Sequence, residues 1–175
     1  MGYKCKPEGI GETQAIFESL GKHAEWAARN ALYQGAGLMA DKVNREILGI
    51  STAKFKWASA RKGETRKPSP EERAILMEAK TGIAKFEGTG TEVQTKVSIK
   101  EGYWMLGKKP KAARLIANSI NSGTSFMPKQ PFFRRAVTKG KKQVTELMRN
   151  TLLACVEAIA TGQMEQGDTE GGTSE

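Results

Sequence analysis

The chain has 175 residues, of which 38% are hydrophobic and 27% are charged, and its net charge is +9 at pH 7. This length fits one domain, and two distant cysteines are too few for a disulfide framework. No apolar run approaches the roughly 20 residues that span a bilayer, and the N-terminus lacks the apolar stretch of a secretory signal. We therefore expect a protein that is made in the cytoplasm and has no membrane partner.

The charge is unevenly distributed along the chain. Residues 163–175 carry four acidic side chains and no Lys or Arg, and removing these four negative charges from the net +9 leaves +13 on residues 1–162. Such a basic body favours contact with nucleic acid or an acidic protein surface, although a solvated basic surface explains the excess equally well. We predict an N-terminal arm over 1–11, one domain over 12–161 and a disordered acidic tail over 162–175.

The first predicted element is a long helix. Apolar residues return every three or four positions from 12 to 48, and Gly49 is a plausible end. Gly35 and Gly37 weaken the middle of this helix by about 1 kcal/mol each relative to alanine. They mark either a bend or a place where another backbone approaches closely.

A basic segment at about 50–69 follows, and we predict a mobile loop insertion there. Ser69 and Glu72 then have the spacing of a capping box, and Pro70 suits the first helical position. A short helix should therefore begin at Pro70 and end near Ala79.

The region from 83 to 100 is predicted as a β-hairpin with arms at 83–88 and 92–100. Apolar or β-branched residues alternate with polar residues along the second arm, which indicates an antiparallel pair with one solvated face. The run from Gly102 to Gly107 is predicted as an apolar bridge between elements. Residues 111–120 favour a short helix, although a strand is also compatible with them.

A second long helix should begin near Pro131 and end at about Thr161. Its core-facing stripe is predicted to contain Phe133, Val137, Val144, Leu147, Met148, Leu152, Val156 and Ile159. The fold class that follows is α+β, with long N-terminal and C-terminal helices packed on a small antiparallel β-sheet.

The sequence offers no constellation for catalysis or metal binding. His23 is the only histidine, so an ordinary zinc site cannot be assembled. A Ser-His-Asp or Cys-His site would have to be built on His23, and no G-x-S-x-G nucleophile elbow accompanies it. The Gly88-Thr89-Gly90-Thr91 run lies between apparent strands and lacks the features of a phosphate-binding loop. We therefore expect no enzyme, and no catalytic residue, cofactor or metal.

The basic residues are the one group that the sequence indicates as a candidate for binding DNA or a protein partner. Aromatic residues such as Phe55 and Trp57 lie among them, as in proteins that bind single strands, but no recognisable nucleic-acid-binding motif accompanies them. A small basic nucleic-acid-binding protein is accordingly one hypothesis. The residues predicted to contact DNA or a protein partner are Lys54, Lys56, Arg61, Lys62, Arg66, Lys67, Lys108, Lys109, Lys129, Arg134 and Arg135.

The segment 121–136 reads NSGTSFMPKQPFFRRA and resembles the signature of the tail-completion, or head–tail connector, proteins of long-tailed bacteriophages. This family shows a Gly-Thr, a short loop and a Pro-Phe-Leu-Arg-Pro-Ala-like helix entry. Here Phe133 stands in for the leucine and Arg135 for the second proline. Upstream, residues 81–85 read TGIAK and resemble the family's Thr-Gly-x-Leu-Arg element, with Ala84 departing from leucine. The resemblance covers about residues 12–160.

The resemblance implies a structural protein of the virion neck that is assembled in the host cytoplasm and performs no reaction. Its partners would be further copies of itself in a hexameric or dodecameric ring, the adjacent connector protein and the tail-terminator or tail-tube protein. Genomic DNA would make passive contact with it. The assembly loop would be framed by Gly123, Thr124, Met127, Pro128, Gln130, Pro131, Phe132 and Phe133, and we expect the two phenylalanines to lock this loop against the core.

Overall fold

The computed structural model describes residues 10–54, 65–88 and 92–162. Its elements in chain order are α1 (Ile10–Leu48), α2 (Pro70–Ala79), β1 (Thr81–Ile83), β2 (Val97–Ile99), β3 (Tyr103–Leu106), β4 (Lys109–Ala112), α3 (Ala113–Ser122) and α4 (Phe132–Ala160). The two long helices pack together and all strand pairs are antiparallel, which confirms the α+β class. The strands form two separate two-stranded sheets. Most of the predicted arm, the centre of the basic insertion and nearly all of the acidic tail lie outside the described residues.

α1 and α4 run antiparallel and approach closely because small residues lie between them. A methyl group added to Gly35 would lie 2.4 Å from Met148 Cγ, and one added to Gly140 would lie 3.3 Å from Lys42 Cγ. A side chain, and not the backbone that was predicted, therefore approaches Gly35 closely, whereas a methyl group added to Gly37 would meet nothing within 4 Å. Towards the C-terminus of α4, Cys155 is a buried free thiol.

The start of α2 confirms the predicted capping box. Ser69 Oγ accepts a hydrogen bond from the Glu72 N–H at 3.1 Å, and the Glu72 carboxylate accepts one from the Ser69 N–H at 2.8 Å. Together the two bonds satisfy backbone donors that the first helical turn leaves open. The helix ends at Ala79, also as predicted.

The predicted hairpin is present, but its first arm begins earlier. β1 pairs with β2 from Thr81–Ile99 to Ile83–Val97, and a further bridge joins Glu87 to Gln94. Along 92–99 every second residue is more buried than its neighbours, so the predicted alternation is correct.

A second hairpin begins in the segment from Gly102 to Gly107 that was predicted as an apolar bridge between elements. β3 and β4 pair from Tyr103–Ala112 to Leu106–Lys109 around a two-residue turn, and Gly107 in that turn has φ +63°. This turn geometry matches the right-handed twist of the strands and favours glycine. The helix predicted from 111 begins at Ala113 because residues 111 and 112 belong to β4.

The main core lies where the C-terminal half of α1 meets α2, α3 and the start of α4. Its fully buried side chains include Phe132, Ile47, Ile50, Leu76, Ile120 and Met127. The predicted α4 stripe was wrong at Val137 and Leu152, which are 46% and 42% exposed. The predicted stripe contained only large apolar residues, whereas the buried face of α4 also contains small residues such as Ala136 and Gly140.

Candidate functional site

α3 and α4 are joined by a loop, residues 123–131, whose backbone is fixed at both ends. Gly123 ends α3 with φ +80°, a conformation that residues with a Cβ rarely adopt. Thr124 and Met127 exchange two backbone hydrogen bonds of 2.8 and 3.2 Å. Pro131, with φ −76° and ψ 69°, forms an inverse γ-turn in which the Phe132 N–H donates to the Gln130 carbonyl at 2.8 Å. The loop is thus a defined structure before any partner binds.

Two side chains anchor this loop in the core. Met127 and Phe132 are 1% and 0% exposed, whereas Phe133 is only partly buried and its ring centroid lies 4.9 Å from that of Phe132. The Phe133 N–H donates to Asn121 Oδ1 at 3.2 Å, so a residue of α3 satisfies a free donor at the start of α4. Of the two predicted locking residues, Phe132 lies in the core and Phe133 lies at its margin.

The basic segment leaves and rejoins the domain beside this loop. The Ala53 N–H donates to the Pro68 carbonyl at 3.0 Å, which holds the two ends of the segment together. Two further contacts join these ends to the loop: Gln130 bonds the backbone of Ser51, and the Arg66 N–H donates to the Phe126 carbonyl at 2.7 Å. We call this shared surface, made of residues 51–54, 65–69 and 123–131, the loop junction.

Arg66 is directed inward at the loop junction. Its guanidinium makes two hydrogen bonds of 2.6 Å to the Glu72 carboxylate, and the two side chains are only 11% and 7% exposed. Burial alone would raise the pKa of Glu72, but hydrogen bonds from Arg66 and the Ser69 N–H, with the nearby charge of Lys111, hold that pKa below its ordinary value. Arg66 therefore holds the base of the basic segment against α2, and little of its side chain is available to a partner.

Three of the predicted contact residues are exposed at the loop junction, namely Lys54, Lys67 and Lys129. Lys67 also donates to Ser51 Oγ at 3.2 Å, an exposed hydrogen bond that leaves its charge on the surface. Three others, Lys56, Arg61 and Lys62, lie outside the described residues. The structure thus brings basic residues from two separate parts of the sequence to one surface.

The remaining predicted contact residues lie elsewhere. Lys108 and Lys109 are exposed at the turn between β3 and β4. Arg134 is exposed on the first turn of α4, whereas Arg135 bonds Glu46 at 3.0 Å. A hydrogen bond from Lys139 is the main reason why the pKa of Glu46 lies below its ordinary value, and the bond from Arg135 adds to it. Arg135 therefore helps to join α4 to α1.

A cavity of about 290 Å³ adjoins the loop junction. It is lined by residues of both strands of the β3–β4 hairpin, by α3 and by Phe126, and the Arg66–Glu72 pair lies on its wall. Three large apolar side chains around it remain exposed: Tyr103 at 79%, Leu115 at 65% and Phe126 at 41%. The sequence interpretation missed this feature because the cavity depends on a hairpin that it did not predict.

Among the side chains that the structure describes within residues 10–54, 65–88 and 92–162, no group of three or more His, Cys, Asp or Glu is placed to hold a metal ion. Nor does any helix in these ranges combine the length and apolarity that crossing a membrane requires. Comparisons with protein-family models, with curated proteins and with solved structures give no match. The loop junction and the adjoining cavity are therefore interpreted from their own geometry.

Proposed function

We propose that this chain is a structural subunit of the neck of a long-tailed bacteriophage. It assembles into a ring between capsid and tail, docks the tail to the connector and keeps a conduit open for DNA. It catalyses no reaction. The proposal is supported by the resemblance in segment 121–136 and by the position of that segment at the centre of the loop junction.

The observation that carries the proposal is the pair of hydrogen bonds between Gln130 and Ser51, each 2.9 Å long. They join the loop that resembles the family signature to the base of the basic segment. The 123–131 loop and the base of the basic segment would therefore contact the same partner.

The loop junction also has the construction that a docking surface needs. Its buried anchors face inward, while Thr124, Pro128 and Lys129 face outward and are exposed. Because backbone hydrogen bonds already hold the loop, a partner would have to order few groups on binding, which favours affinity. A closed ring needs a heterologous interface, so each subunit must use two different patches, and the loop junction is one candidate patch.

The test is the native mass of the full chain, measured alone and after addition of purified tail tubes. We expect a ring, either in the free protein or on the tube end. A double variant, Pro128→Asp with Lys129→Glu, changes only exposed side chains and should prevent joining while the fold remains intact.

The matched control for this test is the pair Lys141→Glu and Lys142→Glu, which alters exposed residues of α4 away from the loop junction. It should join tail tubes as the unmodified chain does. A chain that remains monomeric with tail tubes and with connectors would overturn the proposal.

The exposed Lys108 and Lys109 at the β3–β4 turn favour a second candidate, a small nucleic-acid-binding protein. Because phosphate contacts release counterions, the logarithm of its affinity for duplex DNA should fall with the logarithm of salt by about 0.9 per contact. A steep salt dependence in a protein that stays monomeric would favour this candidate over the neck subunit.

A further inference from the structure

The cavity beside the loop junction has the character of a binding site for a peptide. Tyr103, Leu115 and Phe126 present exposed apolar surface around a space of about 290 Å³. These three side chains line the cavity together with a few polar residues, among them Arg66, Glu72 and Lys111, and this mixture is typical of binding pockets.

The charge around the cavity selects the kind of peptide. Glu72 on its wall is bonded by Arg66, so this carboxylate contributes little net negative charge. Lys111 also lies on the wall, and Lys109 is exposed on the same strand. The cavity is therefore suited to a segment that combines acidic side chains with one apolar anchor.

The C-terminal segment of this chain has that composition. Residues 163–175 carry four acidic side chains and no basic one, and Met164 is their one large apolar residue. No other stretch of the sequence lying outside the described residues is acidic. Charge complementarity thus points to this segment.

The dimensions of α4 show which copy of the chain can supply it. α4 begins at Phe132, which shares a core cluster with Met127 and Ile116 on the cavity wall. Its 29 residues span about 43 Å at 1.5 Å per residue. Met164 follows the end of α4 by four residues, which reach only about 14 Å when fully extended. Met164 therefore cannot enter the cavity of its own chain.

We propose that the cavity receives residues 163–175 of a second copy of this chain, with Met164 in the apolar space and the acidic residues against Lys109 and Lys111. This inference rests on the proposed ring. Because the cavity and the segment lie at opposite ends of α4, the contact is head-to-tail, which is the type of contact that closes into rings.

The test uses the full chain labelled with ¹⁵N and a synthetic peptide of residues 161–175. Peptide titration should shift the amide signals of Tyr103, Leu115 and Phe126. A double variant, Lys109→Glu with Lys111→Glu, should bind at least about tenfold more weakly, which corresponds to about 1.4 kcal/mol. The double variant Lys141→Glu with Lys142→Glu makes the same charge change on α4 and should bind as the unmodified chain does.

The second half of the experiment reverses the charge of the peptide. A peptide carrying Glu165→Lys, Asp168→Lys and Glu170→Lys should lose binding to the unmodified chain and regain it with the Lys109→Glu, Lys111→Glu variant. A Met164→Ser peptide should also bind more weakly. Absence of binding, shifts confined to another surface, or indifference to charge reversal would each overturn the inference.

The outcomes separate this inference from the proposed function. A ring in native mass measurements without peptide binding would overturn only the docking of the C-terminal segment. Peptide binding at the cavity, in a chain that remains monomeric with tail tubes and with connectors, would support the docking site and overturn the neck proposal.

Discussion

The side-chain amide of Gln130 pairs with the backbone of Ser51, which lies 79 positions earlier in the chain. Gln130 Oε1 accepts from the Ser51 N–H, and Gln130 Nε2 donates to the Ser51 carbonyl, both at 2.9 Å. One planar group thus satisfies a donor and an acceptor just beyond α1, where a loop follows the helix. The position of the 123–131 loop relative to α1 depends on this contact.

Replacing Gln130 by alanine should therefore destabilise the protein. We expect a loss of about 1–2 kcal/mol in the free energy of unfolding, because two hydrogen bonds are removed at a partly exposed position. Urea denaturation measures this loss. Gln143→Ala is the matched control, since Gln143 is exposed and bonds only the Lys42 side chain in the described structure, and it should cost less. Equal losses in the two variants would contradict a structural role for the Gln130–Ser51 contact.

The neighbouring phenylalanines should differ in their effects on stability. Phe132→Ala should cost about 3–5 kcal/mol, because removing a fully buried ring leaves a cavity that the core fills only in part. Phe133→Ala should cost clearly less because that ring is partly exposed. Denaturant unfolding of the two variants measures the two losses in the free energy of unfolding. The losses can be compared if that free energy depends equally on denaturant concentration in both variants. The assignment of Phe132 as the anchor fails if Phe133→Ala is the more costly change.

The parts of the fold that the sequence predicted correctly are those that depend on neighbouring residues. The capping box of Ser69 and Glu72 spans one helical turn, and the long helices follow from local periodicity. Their positions could therefore be read from short stretches of sequence. The first hairpin was also recognised, because polar and apolar residues alternate along its second arm.

The features that the sequence did not predict depend on tertiary packing. All four residues of β3 are apolar or aromatic, so no alternation marks the strand, and its register becomes visible only against β4. The one local signal was Gly107 followed by Lys108, which fits a two-residue turn with positive φ. The inward direction of Arg66 was equally hidden, because Glu72 also reads as an ordinary capping residue.

Two glycines of α1 form a matched pair for a test of helix packing. Gly37→Ala should stabilise the protein by about 1 kcal/mol, because alanine is the better helix former and its methyl group meets nothing within 4 Å. Gly35→Ala should not, since its methyl group would displace Met148. Thermal or urea unfolding should therefore show a gain in stability for Gly37→Ala and no gain for Gly35→Ala. A stabilising Gly35→Ala would show that α1 and α4 are less closely packed than described.

The Arg66–Glu72 pair should make the free energy of unfolding depend on pH in the acid range. Despite burial, hydrogen bonds from Arg66 hold the pKa of Glu72 below its ordinary value in the folded protein, so the folded state binds fewer protons than the unfolded state between that lower pKa and the ordinary one. The contribution of Glu72 is therefore fully present above the ordinary pKa of a glutamate and is lost as the pH falls through the lower, folded-state pKa.

The variant Glu72→Gln should lower the free energy of unfolding at pH 7 by about 3 kcal/mol, because Arg66 then loses its buried carboxylate partner. It should also show a shallower loss of stability on acidification than the unmodified chain. Urea titrations from pH 7 to the acid limit of folding measure both effects. Glu71→Gln is the matched control, since Glu71 is exposed on the same helical turn, and it should keep the original acid dependence. If Glu72→Gln and the unmodified chain lose stability in parallel on acidification, the pair does not set this pH dependence.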